Sequence, residues 1–367
     1  MIVIGVDVHK RTHTLVAIDG QTGREHSQRT VRANDVGHLD ALRFARGLPG
    51  PVVWAIEDCR HVSRRLEDAL IAAGARVLRV PPALTGPSRR GQRQPGKSDP
   101  IDALAVARAV VREGLERFPV AFLDERAMEI RHLHDHREQL IAERTRMQNR
   151  LHFHLHQLDP DLEASLRRRT LDAPSAQAKI RRRLARAPES TQVRIARSQL
   201  THIVRLTSEI NELLAELDHL TAEHKPALRA ETGCGPVTAA ILIGQTAGAE
   251  RFATEGCFAR QAGTAPIPAS SGNTQRHRLH RGGNRQLNKA LHIIAIVRAR
   301  VDPDTRAYLE RQRANGKTSR EALRCLKRYL ARRVWRLLFA DQPAAPGHTL
   351  KPAQIVSVGA PALMPCT

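Results

Sequence analysis

The sequence predicts an α/β N-terminal domain, a helical coiled-coil spacer and a mainly α-helical C-terminal domain. Apolar runs of strand length fill the N-terminal part, long helices with heptad spacing follow, and amphipathic helices joined by glycine turns come last. A chain of 367 residues is long enough for two domains and a spacer. We place the three parts at residues 1–122, 123–226 and 227–340, and we expect the Pro- and Ala-rich tail at 341–367 to be disordered.

Two of the predicted strands carry an acidic residue. Asp7 lies in the apolar run 1–9, and a second run at 14–19 follows closely enough to form a hairpin with it. Glu57 ends the run 52–57. A carboxylate in an apolar strand costs free energy unless it has a partner. We therefore expect these two acids to face each other across a sheet.

Two more acids open a predicted helix. The helix begins its first turn at Pro100, with Ser98 or Asp99 as its cap. Asp99 and Asp102 are three residues apart and therefore lie on roughly one side. Capping and the helix dipole explain such acids in most proteins. Acid-bearing strand, hairpin, acid-bearing strand and helix with two acids, however, is the layout of an RNase H-like nuclease core.

The net charge of +22 indicates that these acids lie in a protein that binds a polyanion such as nucleic acid. Carboxylates near a phosphate backbone are unfavourable unless a divalent cation stands between them. Acids embedded in a strongly basic chain therefore predict Mg²⁺ acting on phosphodiesters. Aromatic residues make up only 3% of the chain, so we expect binding through the backbone of the nucleic acid rather than through stacking on bases.

Basic residues cluster in three segments that we expect to contact nucleic acid. One is a glycine-containing loop beside the proposed acids, the second follows a Ser-Ser-Gly turn, and the third is one side of the helix at 317–339. The candidate contacts are Arg89, Arg90, Arg93, Lys97, Arg276, Arg278, Arg281, Arg285, Arg320, Arg324 and Arg328.

The segment 262–285 contains a candidate nucleophile. Ser270 and Ser271 precede a glycine, and four arginines follow them. A serine hydroxyl beside arginines can attack a phosphodiester, because guanidinium groups pair with the phosphate oxygens. Taken locally, the same residues are more typical of a plain turn. Upstream, Gly233 and Gly235 lie between two predicted helices, as either a helix-hairpin-helix element or an ordinary αα-turn.

The spacer is predicted from heptad spacing. The apolar residues that repeat at intervals of three and four are Ile203, Leu206, Ile210, Leu213, Leu217 and Leu220. This pattern predicts a coiled coil or an antiparallel helix pair. A second long helix at 125–158 has a poorer seam, interrupted by Arg137, Arg144 and His154. It is expected to pair with the first helix or with another subunit.

These motifs resemble the DEDD transposases of the bacterial IS110 insertion-sequence family, whose N-terminal domain is similar to the RuvC junction resolvase. The matching segments are Gly5-Val-Asp-Val-His-Lys10, the strand that ends at Glu57, Gly96-Lys-Ser-Asp-Pro-Ile-Asp-Ala103 and the serine segment. After Glu57, the residues Asp58-Cys-Arg60 replace the family's glycine-rich turn, which leaves Asp58 as an alternative to Glu57.

The resemblance implies a mechanism and partners. Mg²⁺ or Mn²⁺ would be held by Asp7, Glu57, Asp99 and Asp102, and Ser271 would form a covalent phosphoserine link to DNA, with Ser270 as the fallback. It also implies a homo-oligomer, a dimer or tetramer, on DNA from the element ends or a junction and from the target, together with a structured guide RNA encoded by the element.

Two other functions remain open on the sequence. A RuvC-like hydrolytic nuclease or junction resolvase would use the same acids without a covalent serine step. A non-catalytic DNA-binding scaffold would explain the charge, but it gives no reason for acids in strands. Five scattered cysteines indicate a reducing cytoplasm, where the protein would be associated with the bacterial nucleoid. We expect no transmembrane segment and no signal peptide.

Overall fold

The structure is a computed structural model that describes most of the chain in two compact units. The described residues are 1–57, 60–81, 84–85, 98–118, 120–121, 124–166, 171–246, 252, 254–270, 277–278, 280 and 282–340. One unit comprises Met1–Glu125 with Thr246–Thr367, and the other comprises Arg126–Gln245. Among the helices of the described ranges, none has both the length and the apolar character needed to cross a membrane.

A five-stranded mixed sheet forms the N-terminal domain. Its strands are β1 (Ile2–Val8), β2 (Thr12–Asp19), β3 (Glu25–Arg32), β4 (Val52–Glu57) and β5 (Arg76–Val80). Their spatial order is β3-β2-β1-β4-β5. The first three strands are antiparallel neighbours, whereas β1 with β4 and β4 with β5 are parallel pairs. Strand β1 is therefore central, which explains why its sequence is almost continuously apolar.

Helices cover both sides of this sheet. They are α1 (Asp35–Arg46), α2 (Arg60–Ala72) and α3 (Asp99–Glu113). Ile4 and Val6 of β1 share an apolar core with Leu66 and Leu70 of α2. Residues with the opposite parity, such as Val3, share a second core with α3. The predicted α/β N-terminal domain is therefore confirmed, and the residues of β1 alternate between two helical layers.

Helices alone make up the second unit in its described residues. They are α4 (Glu125–Leu158), α5 (Pro160–Ala164), α6 (Pro174–Arg186), α7 (Thr191–His224), α8 (Pro226–Arg229) and α9 (Pro236–Thr246). The predicted heptad residues of α7 are buried, apart from Leu213, which is half-buried.

Helices α4 and α7 run antiparallel to each other within one chain. Cross-helix bonds pair Arg126 with Glu223 at 3.0 Å and Gln157 with Gln192 at 2.6 Å, so the residue numbers rise on one helix as they fall on the other. Leu140 of α4 packs with the α7 seam between these points. Of the arrangements that the sequence left open, this chain therefore forms the intramolecular antiparallel pair.

The C-terminal part is mainly helical. Its elements are α10 (Glu255–Gln261), β6 (Ile267–Pro268), β7 (His277–Arg278), α11 (Arg285–Val301), α12 (Pro303–Ala314) and α13 (Ser319–Ala340). Helix α13 packs against α10, α11 and α12 with a buried stripe that includes Leu326, Leu330 and Val334. Helix α13 therefore has the amphipathic character that the sequence predicts for the helices of this part. The short β6–β7 pair is an addition that the sequence did not predict.

Candidate active site

Strand β1 presents Asp7 and His9 on the same side of the sheet. Side chains alternate along a strand, so Val3, Gly5, Asp7 and His9 share one parity. Val3 lies in the core formed with α3, so this parity points towards that helix. The register places Thr14 of β2 beside Asp7.

Gly5 brings α3 close to the end of this strand. A Cβ placed on Gly5 would lie 2.0 Å from the carbonyl oxygen of Ala103 and 2.7 Å from the amide nitrogen of Ala107. Only glycine permits this approach of strand and helix backbones. The first turn of α3 consequently lies next to the residues that follow Gly5 on β1.

The N-terminus of α3 supplies two acids, as predicted. Ser98 is the N-cap in an extended conformation, Pro100 follows within the first turn, and both Asp99 and Asp102 lie in that turn. The amide of Asp102 donates to the carbonyl oxygen of Ser98 at 3.0 Å, which starts the helix. The positive end of the helix dipole favours both carboxylates at this position.

Asp7, His9 and Asp99 converge at this point. His9 Nε2 lies 3.1 Å from Asp7 Oδ2 and 3.4 Å from Asp99 Oδ1. One donor atom from each residue falls within 4.8 Å of the others. The side chain of Asp7 is 12% exposed, whereas those of His9 and Asp99 are about half exposed. The cluster therefore has a buried floor and a side open to solvent.

Burial and neighbouring acids disfavour a charged Asp7. Burial raises the pKa of Asp7 above its ordinary value, His9 opposes this shift, and the charges of Asp102 and Asp99 add to it. The last two effects show that all three carboxylates share one electrostatic environment. Because a cation reverses such repulsion, this is a place where a cation would stabilise the carboxylates.

Glu57 and Asp102 stand beside this three-residue cluster without joining it. Glu57 is one position beyond the last β1–β4 partners, Val6 and Ile56, and it has the same parity as Asp7. Its Oε1 accepts a hydrogen bond from the Thr85 hydroxyl at 3.0 Å. Asp102 is 8% exposed. Asp58, the alternative to Glu57, lies outside the described residues.

His9 is the member of the cluster that sequence reasoning missed. It belongs to the motif 5–10, but the sequence predicts no role for it. The available signal was its spacing, because a residue two positions after Asp7 on a strand shares the face of Asp7. The strand ends at Val8, and the amide of His9 still donates to the carbonyl oxygen of Thr12 at 2.9 Å, which preserves the alternation.

The serine segment is only partly described. Ser270 is exposed, and Ser271 with its neighbours up to Arg276 lies outside the described residues. The flanking residues form the antiparallel β6–β7 pair, in which Ile267 faces Arg278 and Pro268 faces His277. Both candidate serines therefore lie, in the sequence, between the two strands of this pair.

Close contacts fix the base of this hairpin. A Cβ on Gly283 would lie 2.4 Å from the Cα of Gly263, so the two arms touch. The Asn288 amide donates to the carbonyl oxygens of Ala262 at 2.9 Å and Gly263 at 3.2 Å. The Lys327 ammonium in turn donates to the side-chain oxygen of Asn288. A partly buried network from α13 and α11 thus holds the start of the β6–β7 hairpin.

Lys327 is an unusual lysine in this network because it is only 8% exposed. Burial, followed by the charge of Arg324, lowers its pKa to about 8. Burial, followed by the charge of Lys327, lowers the pKa of the neighbouring His292. The hairpin base therefore includes an amine that loses its proton far more easily than a surface lysine.

The predicted nucleic-acid contacts fall into two groups. Arg278, Arg285, Arg320 and Arg324 are exposed, and Arg328 is partly buried. The remaining candidates, Arg89, Arg90, Arg93, Lys97, Arg276 and Arg281, lie outside the described residues.

The glycine turn near residue 233 is formed between α8 and α9. Gly233 has φ +88°, a conformation that L side chains rarely adopt. Arg229 stabilises the turn by donating to the carbonyl oxygen of Cys234 at 2.6 Å and by pairing with Asp218. The two helices and the glycine turn between them are therefore present, and the helix-hairpin-helix element and the αα-turn both stay predictions for this segment.

Comparison with known proteins finds two matching family models. The DEDD transposase model of the IS110 group, described as a transposase, matches residues 4–160. The model of the transposase IS116/IS110/IS902 family matches residues 226–310. The two matched ranges contain the acidic cluster and the serine segment, respectively.

Curated relatives are insertion-element proteins. The chain is 29% identical to the insertion element IS900 uncharacterized 42 kDa protein of Mycobacterium paratuberculosis, over 91% of this chain and 94% of the relative. It is 33% identical to the insertion element IS110 uncharacterized 43.6 kDa protein of Streptomyces coelicolor, over 63% of this chain and 68% of the relative. Among solved structures, T. thermophilus RuvC in complex with a Holliday junction substrate matches 33% of this chain and 99% of its own, with 17% identity and a TM-score of 0.25.

Proposed function

The chain belongs to the IS116/IS110/IS902 family of transposases, and on that premise we propose that it cleaves and rejoins DNA strands through a serine nucleophile assisted by a divalent-cation site. That it is a DNA transposase follows from the family. The serine step, the identity of the ion and the RNA partner are the proposal. The single observation that carries the metal site is the convergence of Asp7, His9 and Asp99 within 4.8 Å.

The donor set fits a divalent cation. Carboxylate oxygens are the preferred ligands of Mg²⁺ and Mn²⁺. Burial and the charges of Asp102 and Asp99 disfavour the charged form of Asp7, and a bound cation would stabilise that form. Asp7 and Asp99 would hold the ion, with Glu57 and Asp102 completing the acidic set. When bound, such an ion supplies Lewis-acid stabilisation of a phosphate and activates an oxygen nucleophile. The β3-β2-β1-β4-β5 order and the acids at the strand ends support an RNase H-like assignment.

Ser271 is the proposed nucleophile. Its Oγ would form a bond to the phosphorus of a DNA phosphodiester while the bond from phosphorus to one sugar oxygen breaks, and the seryl proton would end on that leaving oxygen. The energy of the phosphodiester is conserved in the phosphoserine, so the reverse step can join a new strand end. Exposed Arg278 and Arg285 flank the segment and suit the phosphate oxygens.

A covalent-trapping experiment tests this proposal. The full-length protein is incubated with Mg²⁺, RNA from its element and nicked or junction DNA, then denatured, and protein–DNA adducts are mapped by mass spectrometry. We expect an adduct on Ser271 that is lost in Ser271→Ala and kept in Ser270→Ala. An adduct that is lost in Ser270→Ala and kept in Ser271→Ala would identify Ser270 as the nucleophile. Cleavage without any adduct would contradict the serine mechanism.

The second candidate function is metal-dependent hydrolysis by a RuvC-like nuclease or junction resolvase. The same acidic cluster favours it, and it requires no covalent serine. In that case Ser271→Ala would leave DNA cleavage unchanged, whereas Asp7→Asn would abolish it. If the protein is a non-catalytic scaffold, neither change would alter any DNA cleavage or joining seen with the wild type.

The proposed partners are nucleic acids and further copies of the chain. The exposed arginines of α11, α13 and β7 suit a phosphate backbone. The family resemblance adds a structured guide RNA from the element and a dimer or tetramer assembled on DNA. The proposed division at 1–122, 123–226 and 227–340 assigns metal chemistry to the first part and the serine to the last.

A further inference from the structure

We propose that His9 is a direct ligand of the divalent cation and makes this site prefer Mn²⁺ over Mg²⁺. The inference rests on the proposed metal site and deepens it, because it names the ion that the site selects. His9 lies outside the four acids of the DEDD signature. It joins them here only through its position at the end of β1.

The position of His9 is set by the backbone. It follows Asp7 by two residues and therefore points to the same side as Asp7, towards the first turn of α3. The bond from the His9 amide to the Thr12 carbonyl oxygen closes the tight link between β1 and β2 and fixes the start of the imidazole side chain. A ligand carried on such a rigid element needs little reorganisation to bind an ion.

The imidazole nitrogen stands between two carboxylates on different elements. His9 Nε2 is 3.1 Å from Asp7 Oδ2, on the strand, and 3.4 Å from Asp99 Oδ1, on the helix. Asp7, His9 and Asp99 would hold the ion with one donor atom each, because these atoms lie within 4.8 Å of one another. His9 and Asp99 are half exposed, so an ion placed there would keep water molecules on its open side.

Ligand chemistry determines the preference. Mg²⁺ takes oxygen donors and gives up its water ligands reluctantly, whereas Mn²⁺ is the first member of the transition-metal series that binds sites of mixed nitrogen and oxygen donors. A site with oxygen donors alone discriminates weakly between these two ions. The nitrogen of His9 therefore adds affinity for Mn²⁺ with little gain for Mg²⁺.

The test measures metal binding by the full-length protein, without DNA. Mn²⁺ is titrated by electron paramagnetic resonance and by calorimetry, Mg²⁺ by competition with Mn²⁺, and the pulsed resonance spectrum of bound Mn²⁺ is examined for nitrogen coupling. We expect nitrogen coupling in the wild type. In His9→Ala we expect it to disappear and the Kd for Mn²⁺ to rise roughly tenfold or more, with a much smaller change for Mg²⁺.

Three further variants separate the possible explanations. His9→Gln keeps a side chain that can hydrogen-bond to Asp7 but has no imidazole, so it should also lose the nitrogen coupling. His26→Ala removes an exposed histidine of β3 and should change nothing. Asp7→Asn should abolish binding of both ions.

The outcomes distinguish this inference from the proposed function. Bound Mn²⁺ without nitrogen coupling, or an unchanged Mn²⁺ affinity in His9→Ala, overturns the role of His9 while the loss in Asp7→Asn still supports the acidic site. Unchanged Mn²⁺ binding in Asp7→Asn overturns the metal site itself and His9 with it.

Discussion

Gly5 of β1 and Ala103 of α3 touch through their backbones, and this contact sets the distance between Asp7 and the acids of the helix. A Cβ on Gly5 would stand 2.0 Å from the Ala103 carbonyl oxygen, far inside any allowed contact. Two segments separated by almost a hundred residues of sequence are thereby held at backbone contact. The acidic cluster is a direct consequence, because Asp7 on the strand and Asp99 on the helix lie at the same end of this contact, where both approach His9.

Gly5→Ala is predicted to damage both stability and metal binding. The new methyl group must push α3 away from β1, and overpacking of this kind costs roughly 1–3 kcal/mol. The midpoint of urea unfolding should fall, and Mn²⁺ affinity should fall with it. Gly256→Ala is the control, since this exposed position in α10 has room for a methyl group and alanine favours a helix. If both variants had the same urea midpoint and the same Mn²⁺ affinity, the close packing of Gly5 against α3 would be contradicted.

Lys327 is predicted to make stability depend on alkaline pH. Its folded pKa of about 8 lies below the ordinary lysine value of 10.5, so the unfolded state binds more protons between these two values. Stability should therefore rise as pH increases from about 8 towards 10.5. Lys327→Met should flatten this part of the profile of unfolding free energy against pH, whereas Lys289→Met, at an exposed position of α11, should preserve it.

His13 is predicted to make the protein sensitive to acid. It is 1% exposed and stacks on His38 with ring centroids 5.5 Å apart. Burial, followed by the charges of His38 and His9, lowers the pKa of His13 to about 4. The unfolded state then binds more protons between about 4 and 6.5, so stability should fall as pH drops through this window. His13→Phe should weaken the fall, and the exposed His26→Phe should leave it as in the wild type; an unaltered profile in His13→Phe would assign the fall to other groups.

The basic side of α13 is predicted to bind nucleic acid through phosphates. Arg320 and Arg324 are both exposed, one turn apart. Replacing both with alanine should weaken DNA and RNA binding regardless of base sequence. The slope of log K against log salt should become shallower by about 1 for each lost contact. Arg43→Ala, on α1 and paired with Asp40, is the control. Fluorescence anisotropy at several salt concentrations measures the affinity and the slope. An unchanged slope in the double variant would show that Arg320 and Arg324 make no phosphate contacts.

The sequence predicted which acidic residues belong to the candidate site. It did not predict how those residues are arranged. Asp7 and Asp99 were identified from an acid in an apolar strand and an acid at a helix start, which are local patterns. His9 was missed because a histidine after a strand carries no local sign of what faces it. Glu57 keeps the predicted strand-end position, yet it lies outside the three-residue cluster and binds Thr85.

For the long helices too, the sequence predicted the local pattern but not the partner. The heptad spacing of α7 predicted a buried seam, because an apolar stripe must be covered by something. It could not identify the cover, since α4 and a helix of another subunit would hide the same stripe. Bonds such as Arg126 to Glu223 show that α4 covers it. The β6–β7 pair was not predicted, because two-residue strands leave no periodic signal.

The sequence by itself determined what depends on neighbours along the chain: the α/β character of the N-terminal part, the long helices, the acids and their positions on elements, and the strongly basic charge. The tertiary structure alone decided which surfaces meet. It placed α3 against Gly5, folded α4 back on α7, and brought His9 between Asp7 and Asp99. The physical reason is that backbone propensity and hydrophobic periodicity act over a few residues, whereas steric fit and electrostatic partnership act between residues that only folding brings together.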